Sequence, residues 1–290
     1  MDTERTYGEI ASQAREALQS VDRVPGARKP DPILTADNIR REFGGIVAVD
    51  VDHFEVQKGS ITALIGPNGA GKTTFFNLLT GFDQPNSGQW NFNGKEMNGV
   101  ASHRTAALGM VRTFQLTKSL TKLSVIENMR LGATDQKGEK WWNGLFAAVW
   151  KGQEAEITQR ADELLARFKM DHMRDEYAGS LSGGQRKLLE MARALMTNPT
   201  LVMLDEPMAG VNPALKQSLN QHIRGLRDDG MTVLFVEHDM DMVHDISDWV
   251  IVMAEGRIIA EGTPDDISSN PAVIDAYLGT RQGQSLLEGE

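Results

Sequence analysis

Short apolar runs and segments of helical periodicity alternate along most of the chain. Ile33-Leu34, Ile46 to Val49 and Ile61 to Ile65 are typical of β-strands, and the last of these runs leads directly into a glycine-rich stretch. Residues 75–79 then carry apolar side chains at helical spacing, up to a stop at Gly81. Buried strands that alternate with helices predict an α/β fold with a mainly parallel sheet and helices on both faces.

The middle of the chain has a different pattern, because helical periodicity dominates between about residues 116 and 180. Val125 to Leu131 predicts one helix, and Glu154 to Phe168 predicts a longer one. These helices interrupt the alternation of strands and helices, so we interpret them as an inserted helical subdomain. Downstream, the pattern predicts a helix from Gln185, a strand over Leu201–Leu204, a helix to about Arg227 and a strand over Thr232–Val236.

The first 32 residues are polar and end in a stretch punctuated by Pro25, Pro30 and Pro32, which is typical of a linker. Apolar residues at positions 10, 14, 18 and 21 line one face of a short predicted helix within this segment. We interpret the segment as a surface or partly disordered extension, with a partner-docking element as the alternative. The predicted organisation is an N-terminal extension (1–32), a main domain (33–265) with the helical insert at about 116–180, and a C-terminal tail (266–290).

Length and charge narrow the class of protein. The 290 residues suffice for one large α/β domain with an inserted lobe but fall short of two such domains in tandem. The net charge of -10 argues against nonspecific nucleic-acid binding, which usually needs a basic surface. The chain has no cysteine, no apolar run near the ~18 residues of a membrane-spanning helix and no secretory signal pattern at its start, so we expect a cytosolic protein.

The glycine-rich stretch after the run Ile61 to Ile65 matches the pattern G-x-x-x-x-G-K-[ST]. In this motif the backbone N–H groups of the loop cradle phosphates just before a helix begins, where the helix N-terminus favours negative charge. Lys72 is expected to reach the β- and γ-phosphate oxygens, and the Thr73 hydroxyl to ligate Mg²⁺. The predicted phosphate-binding residues are Gly66, Pro67, Asn68, Gly69, Ala70, Gly71, Lys72, Thr73 and Thr74.

A second motif, Leu181-Ser182-Gly183-Gly184-Gln185, narrows the class further. A specified pentapeptide is expected by chance in only ~1 in 3,000 chains of this length at average residue frequencies. With the phosphate loop, it makes the chain resemble the ATP-binding cassette (ABC) family, and the resemblance covers about Ile33 to Leu278. It implies a P-loop NTPase nucleotide-binding domain with a mainly parallel core sheet, an antiparallel β subdomain and an inserted helical subdomain, which binds ATP and Mg²⁺.

The resemblance also implies roles for residues outside the two motifs. Asp205 matches the aspartate that holds Mg²⁺ through water, and Glu206 matches the glutamate that polarises the attacking water. Gln115 occupies the position of the glutamine that senses Mg²⁺ and links the nucleotide core to the helical lobe. His238 matches the histidine that hydrogen-bonds the γ-phosphate, and Phe43 the aromatic residue that stacks on adenine. The predicted catalytic set is Lys72, Gln115, Glu206 and His238, and the predicted metal site is Thr73, Gln115 and Asp205.

The signature pentapeptide provides an anion site of its own. The Ser182 hydroxyl and the N–H groups of Gly183 and Gly184 precede the helix from Gln185, an arrangement suited to a γ-phosphate. In ABC proteins that phosphate belongs to ATP held by the opposite subunit. The resemblance therefore implies that two cassettes, identical or different, sandwich two nucleotides head to tail.

Finer features resemble one branch of the family, the ATPase subunits of importers of branched-chain and other hydrophobic amino acids. These features include Arg112-Thr113-Phe114-Gln115, Glu237-His238-Asp239-Met240 and the segment from Asn270 to Gly279. The resemblance implies two transmembrane permease subunits, an extracytoplasmic substrate-binding protein and a place on the cytoplasmic face of the membrane. Relatives that import urea or short amides, and ATPases that export lipopolysaccharide, remain alternatives.

Two other classes of protein share some of these motifs. Soluble ABC ATPases that act on DNA place long coiled coils between the phosphate loop and the signature, and those that act on ribosomes carry two cassettes; the sequence shows neither feature. A P-loop kinase or GTPase would leave the pentapeptide and His238 unexplained. We therefore predict an ATP-hydrolysing subunit of a membrane transporter, with a soluble ABC ATPase as the alternative.

Overall fold

The structure is a computed structural model that describes residues 7–113, 121–133 and 147–278. The strands are β1 (Pro32–Phe43), β2 (Ile46–Gln57), β3 (Ile61–Ile65), β4 (Ser87–Phe92), β5 (Lys95–Glu96), β6 (Met110–Arg112), β7 (Leu201–Asp205), β8 (Thr232–Val236), β9 (Trp249–Ala254) and β10 (Arg257–Gly262). The helices are α1 (Tyr7–Gln19), α2 (Lys72–Leu79), α3 (Ser102–Ala107), α4 (Val125–Arg130), α5 (Ala147–Arg167), α6 (Gly183–Ala194), α7 (Pro213–Asp228), α8 (Met240–Ile246) and α9 (Pro264–Ser268). Residues 271–278 form a further helical segment.

Six strands form the central sheet in the order β10-β9-β3-β8-β7-β6. All neighbouring strands are parallel except β10, which pairs antiparallel with β9. β3 and β8 consist entirely of buried residues, as continuous apolar runs in a sheet covered on both faces should. The register pairs Val236 with both Leu64 and Asp205, so the carboxyl ends of β3, β8 and β7 meet at one edge of the sheet. Ligands of open α/β sheets bind at this edge.

A second sheet contains four antiparallel strands in the order β2-β1-β4-β5. β1 and β2 form a long hairpin whose turn, Gly44-Gly45, has positive φ at both residues, a conformation that glycine adopts without strain. The apolar face of this hairpin contacts helix α2 through a T-shaped pair of Phe54 and Phe75, with ring centroids 4.9 Å apart. Burial of this face against α2 therefore joins the second sheet to the phosphate-loop helix.

The described part of the inserted subdomain consists of turns and helices that pack together with α6. Its apolar cluster includes Val125, Met129, Leu165 and Phe168. α4 begins at a capping box, in which the side chains of Ser124 and Glu127 each accept a hydrogen bond from the other's backbone N–H. α5 begins at Ala147, earlier than the predicted start at Glu154. Across the described ranges, no helix is both long and apolar enough to cross a lipid bilayer.

From residue 7 onwards the N-terminal segment packs onto the main domain, although its sequence is typical of a surface or partly disordered extension. Helix α1 has the predicted apolar face, and Ala11, Ala14, Leu18 and the following Val21 are all buried. The helix packs so closely that a Cβ on Gly59, just before β3, would lie 2.7 Å from Ile10 Cγ2. The helix packs in this way because its apolar face can be buried against α7 and the start of β3.

A buried ion pair fixes the segment between α1 and β1. The Lys29 ammonium bonds the Glu261 carboxylate of β10, and each side chain is only 1% exposed. Glu261 also accepts hydrogen bonds from the Ala27 backbone N–H and the Trp249 indole, while Glu55 accepts one from the Lys29 backbone N–H. Because a buried charge is tolerated only when it is paired and hydrogen-bonded, this network ties residues 27–29 to the central sheet.

Candidate functional site

The phosphate loop runs from the end of β3 into α2, and backbone atoms of other strands form its floor. Gly66 has φ +150°, and a Cβ there would lie 2.0 Å from the Met253 carbonyl oxygen of β9. Gly71 has φ +95°, and its Cβ would lie 2.3 Å from the Ala48 carbonyl oxygen of β2. Both positions require glycine because the obstacles are backbone atoms, which cannot rotate away.

Lys72 is the first residue of α2, and its side chain folds back over the loop. The ammonium donates hydrogen bonds to the carbonyl oxygens of Gly66, at 2.6 Å, and Pro67, at 2.9 Å. Burial lowers the pKa of Lys72, and the nearby Glu206 carboxylate partly offsets that effect. The loop therefore presents a partly desolvated cation beside its backbone N–H groups, as phosphate binding requires.

Asp205 ends β7 at the same edge of the sheet. Its carboxylate pairs with the Arg112 guanidinium, and the two side chains are 12% and 8% exposed. Thr73 is exposed in the first turn of α2, next to Lys72. The phosphate-loop helix thus carries a hydroxyl, and the end of β7 carries a carboxylate at the same edge of the sheet.

Glu206 follows Asp205 in a backbone conformation that is unusual for its residue type, with φ +45°. Its N–H donates to the Val236 carbonyl at 3.0 Å, and the Lys187 ammonium of α6 donates to the carbonyl oxygens of Glu206 and Pro207, both at 3.1 Å. Non-glycine residues keep such conformations only where the surroundings impose them. The predicted catalytic glutamate is therefore held through its backbone from two sides.

His238 comes two residues after β8, and its side chain is 65% exposed. The fully buried Glu237 organises the surrounding loop, because its carboxylate accepts hydrogen bonds from the backbone N–H groups of Met208, at 2.7 Å, and His238, at 3.0 Å. The structure brings Glu206 and His238 to the ends of adjacent strands. Within the described residues, however, their side chains form no hydrogen bond with each other.

Phe43 lies at the end of β1 and is 48% exposed. The Arg41 guanidinium covers one face, with its Cζ 4.5 Å from the ring centroid, and Arg41 is itself paired with Asp83. An exposed ring at this position fits the predicted stacking role. Gln115, the predicted link to the helical subdomain, lies outside the described residues.

The signature pentapeptide begins helix α6. Ser182 is the N-cap, and its hydroxyl accepts from the Gln185 N–H while the Gln185 side chain accepts from the Ser182 N–H. Ser182 and Gly183 are exposed, whereas Gly184 is buried against Leu215. A cavity of about 370 Å³ has both Gly183 and Asp205 in its wall. The predicted anion site is therefore an exposed helix N-terminus whose Gly183 lines the same cavity as Asp205 at the end of β7.

Sequence reasoning missed three charged residues that shape the site: Arg112, Lys187 and Glu237. Each is half-buried or buried, and each bonds a segment remote in sequence. The sequence gives one indication of such residues. Arg112 and Glu237 are charged residues at the ends of buried strands, and Lys187 directly precedes the buried Leu188 and Leu189 in α6. That signal does not say which partner the charge meets.

A parallel sheet with a phosphate loop after β3 and an acid at the end of β7 defines a P-loop ATPase. Comparison with family models narrows this class. The model described as ABC transporter matches residues 49–209. A second model, described as branched-chain amino acid ATP-binding cassette transporter, matches residues 257–282.

Relatives of known name are similar over almost their full length. The probable branched-chain amino acid transport ATP-binding protein LivG of Archaeoglobus fulgidus is 42% identical over 252 residues, which are 87% of this chain and 97% of that protein. The high-affinity branched-chain amino acid transport ATP-binding protein BraF of Pseudomonas aeruginosa is 40% identical, over 86% of this chain and 98% of its own.

Solved structures of similar fold are also ATP-binding cassettes. A nucleotide-free ATP-binding cassette from an ABC transporter has a TM-score of 0.75 and 39% identity, and covers 85% of this chain and 98% of its own. The ADP conformation of an ATP-binding cassette has a TM-score of 0.74 and 38% identity, over 86% and 99%. The chain belongs to the ABC transporter family, in which it is a nucleotide-binding ATPase subunit of a transporter complex. The predicted family and fold class are confirmed.

Proposed function

We propose that the chain is the ATPase subunit of an importer of branched-chain or similar hydrophobic amino acids. The observation that supports this proposal best is the match of residues 257–282 to the model for branched-chain amino acid cassettes, in addition to the full-length similarity to LivG and BraF. The matched segment adjoins the nucleotide site. Within it, Tyr277 packs against the apolar cluster of the central sheet. Burial raises the pKa of the Tyr277 phenol, and a hydrogen bond with the Gly66 backbone of the phosphate loop partly offsets that rise.

The roles of the site residues form part of the proposal. Lys72 binds the β- and γ-phosphates by exchanging its bonds to the loop carbonyls for phosphate oxygens. Glu206 orients and polarises the attacking water, and its backbone bonds keep the carboxylate at the end of β7. His238 closes on the γ-phosphate from the loop that Glu237 organises. Phe43 stacks on adenine, and Gln115 carries the state of the site to the helical subdomain.

Thr73 and Asp205 suit Mg²⁺, because hydroxyl and carboxylate oxygens are the hard ligands that this ion prefers. Among the described residues there is no cluster of three or more His, Cys, Asp or Glu side chains that would hold a metal alone. That composition fits an ion held jointly by nucleotide phosphates and one or two protein groups, with Gln115 as a third. When bound, the ion neutralises charge on the phosphates during phosphoryl transfer.

The exposed Ser182 and Gly183 support a site completed by two cassettes. In the proposed complex, the α6 N-terminus of one cassette meets the γ-phosphate held by Lys72 of the other. Two permease subunits in the membrane and an extracytoplasmic binding protein complete the importer, and the cassettes lie on the cytoplasmic face. ATP-driven closure of the cassettes would move the permeases, and hydrolysis would reset them.

The proposal is tested by purifying the complex through a tag on this chain from detergent-solubilised membranes. Two multi-span membrane proteins and a second cassette should co-purify. In reconstituted vesicles with the cognate binding protein, leucine, isoleucine or valine should stimulate ATP hydrolysis, whereas urea and short amides should not. Stimulation by urea or an amide, or recovery of a lipopolysaccharide-binding complex, would replace the amino-acid proposal. Purification without membrane proteins would contradict the transporter assembly.

A further inference from the structure

Arg112 joins three elements at the nucleotide edge of the sheet. It ends β6, and one terminal nitrogen, Nη2, donates to Oδ2 of Asp205 at the end of β7. The other, Nη1, donates to Asn77 Oδ1 at 2.6 Å and to Thr80 Oγ1 at 3.4 Å, near the C-terminal end of α2. α2 is the helix that begins with Lys72 and Thr73.

The guanidinium is also enclosed by aromatic rings. Its Cζ lies 5.5 Å from the centroid of Phe76 and 5.8 Å from that of Phe82. Arginine suits this buried position because its guanidinium is weakly hydrated and its donors are fixed in a planar fork. A lysine ammonium is more strongly hydrated and has fewer donors, which are not fixed in direction. The 8% exposure of the side chain shows that the charge is held within the protein and does not extend into solvent.

We propose that Arg112 is a positioning residue for the metal-nucleotide complex: it fixes the Asp205 carboxylate for a hydrated Mg²⁺ and ties that carboxylate to the phosphate-loop helix. This inference rests on the role of Asp205 under the proposed function. Only Oδ2 of Asp205 takes part in the bond to Arg112, and the described residues give Oδ1 no hydrogen-bond partner. Oδ1 can therefore accept from water on the ion while Oδ2 stays fixed.

The anchor on α2 gives the arrangement its geometry. Asn77 lies on the same helix as Thr73, so one rigid element carries both the metal-binding hydroxyl and the group that orients Arg112. The two oxygen donors for the ion are then held at a fixed separation before nucleotide binds.

The test measures metal affinity apart from nucleotide affinity. The purified chain is kept in excess over a non-hydrolysable ATP analogue, and Mn²⁺ is titrated while free Mn²⁺ is followed by electron paramagnetic resonance. In parallel, the affinity for the analogue in EDTA is measured by calorimetry. We expect Arg112→Met to weaken Mn²⁺ binding by roughly tenfold or more, as loss of a partner that orients a metal-site carboxylate does, with metal-free affinity within about twofold.

Two milder variants keep the test decisive where Arg112→Met fails to fold. Arg112→Lys keeps the charge but loses the fork, and Asn77→Ala keeps the ion pair but loses its anchor; both should weaken Mn²⁺ binding by less than Arg112→Met. Asp205→Asn is the reference. If it leaves Mn²⁺ binding unchanged, the proposed role of Asp205 fails; if it weakens binding while the Arg112 and Asn77 variants do not, the present inference alone fails.

Arg227 and Asp248 provide a matched control. Their pair is similarly buried, with side chains 10% and 7% exposed, but it lies where β3 begins, since Asp248 accepts from the Ile61 N–H at 2.8 Å. Arg227→Met should lower thermal stability and leave Mn²⁺ affinity unchanged. Tighter Mn²⁺ binding by Arg112→Met would mean that the arginine competes with the ion, and it would overturn the inference.

Discussion

At the scale of single residues, the loops at the carboxyl edge of the central sheet are held by lysine side chains that donate to backbone carbonyls. Lys187 donates hydrogen bonds to the carbonyl oxygens of Glu206 and Pro207, although three glutamate carboxylates lie near enough to interact with its charge. Burial lowers the pKa of Lys187, and the nearby carboxylates of Glu237, Glu190 and Glu206 oppose that shift. The strained φ of Glu206 is consequently supported by helix α6, the helix that carries the signature.

Lys187→Met should therefore impair catalysis more than nucleotide binding. Without its two hydrogen bonds, Glu206 can relax from its strained conformation and misplace its carboxylate, so we expect kcat to fall by roughly 10- to 100-fold. The dissociation constant for ATP should stay within about twofold, because the phosphate loop is untouched. Steady-state kinetics and equilibrium binding check both values.

Lys95→Met serves as the control, because Lys95 is exposed on β5. If Lys187→Met lowered affinity and left kcat intact, Lys187 would act on nucleotide binding, and its role as a support of Glu206 would be wrong.

At the scale of elements, the contact between the helical subdomain and the core includes an aromatic stack. His222 of α7 stacks on Phe168, just after α5, with ring centroids 4.5 Å apart and an angle of 26° between the planes. Burial lowers the pKa of His222, and the positive charges of Arg167 and Lys169 lower it further. The neutral ring is thus the form that this contact favours.

The shift makes stability depend on pH in a defined direction. Because the pKa of His222 is lower in the folded chain than its usual 6.5, the unfolded chain binds more protons between the two values. Stability from this group is therefore present above pH 6.5 and is lost as pH falls through the lowered pKa. His222→Phe should keep the stack and flatten this part of the dependence.

Urea unfolding from about pH 8 to about pH 5 measures the effect. His172→Gln is the control, because His172 is exposed in a turn and its replacement should leave the slope unchanged. An unaltered slope in His222→Phe would show that other groups carry the acid sensitivity.

Elements with continuous apolar runs could be predicted from sequence, and the predicted strand Thr232–Val236 agrees with β8 in the structure. The start of α5 could not, because Gly152 interrupts the helical pattern after Ala147. The predicted start of α6 at Gln185 is two residues late. Glycine is a poor helix former, yet Gly183 and Gly184 belong to the helix, which Ser182 caps.

The residues of the site also fall into those that sequence predicts and those that it does not. Contiguous motifs identify the phosphate loop, Asp205 and Glu206, since the chemistry and the spacing lie within one segment. Arg112, Lys187 and Glu237 act through partners that only folding brings near: Asp205, Glu206 and Met208. No local pattern encodes such pairs.

At the scale of the whole molecule, the N-terminal segment and the last strands form one unit. Lys29→Met would leave the Glu261 carboxylate buried without its counter-ion, so we expect a loss of about 3–5 kcal/mol in the free energy of unfolding. Urea denaturation measures the loss. Restoring neutrality with Glu261→Gln in the same chain should recover part of it.

Arg224→Met is the matched control, because the Arg224–Asp245 pair is exposed and should contribute less than about 1 kcal/mol. A loss in Lys29→Met as small as that in Arg224→Met would mean that the buried Lys29–Glu261 pair does not stabilise the domain.

The proposed site shared by two cassettes yields a prediction about assembly. Ser182→Arg adds bulk and positive charge at the exposed α6 N-terminus, where the proposed complex places a partner's γ-phosphate. The variant should keep its own ATP affinity but lose hydrolysis at the opposite site by at least about 100-fold, since that site loses its γ-phosphate contacts. Loss of the cap also costs about 1 kcal/mol, so thermal melting must confirm a folded chain.

ATPase and transport assays in reconstituted vesicles decide the outcome, with Ser180→Arg, on an exposed turn nearby, as the control. Full activity of Ser182→Arg would contradict the head-to-tail assembly of cassettes.

The floor of the phosphate loop has a consequence for how this chain tolerates mutation. The loop touches Ala48 and Met253 through their carbonyl oxygens, which every amino acid supplies. Gly66 and Gly71 have no such freedom, because any side chain there would collide with those oxygens. A saturation library should therefore be asymmetric across each contact, with a wide range of residues recovered at position 48 and glycine alone at position 71. The contacts that preserve the shape of the loop thus restrict the residue type at Gly66 and Gly71 but hardly at all at Ala48 and Met253.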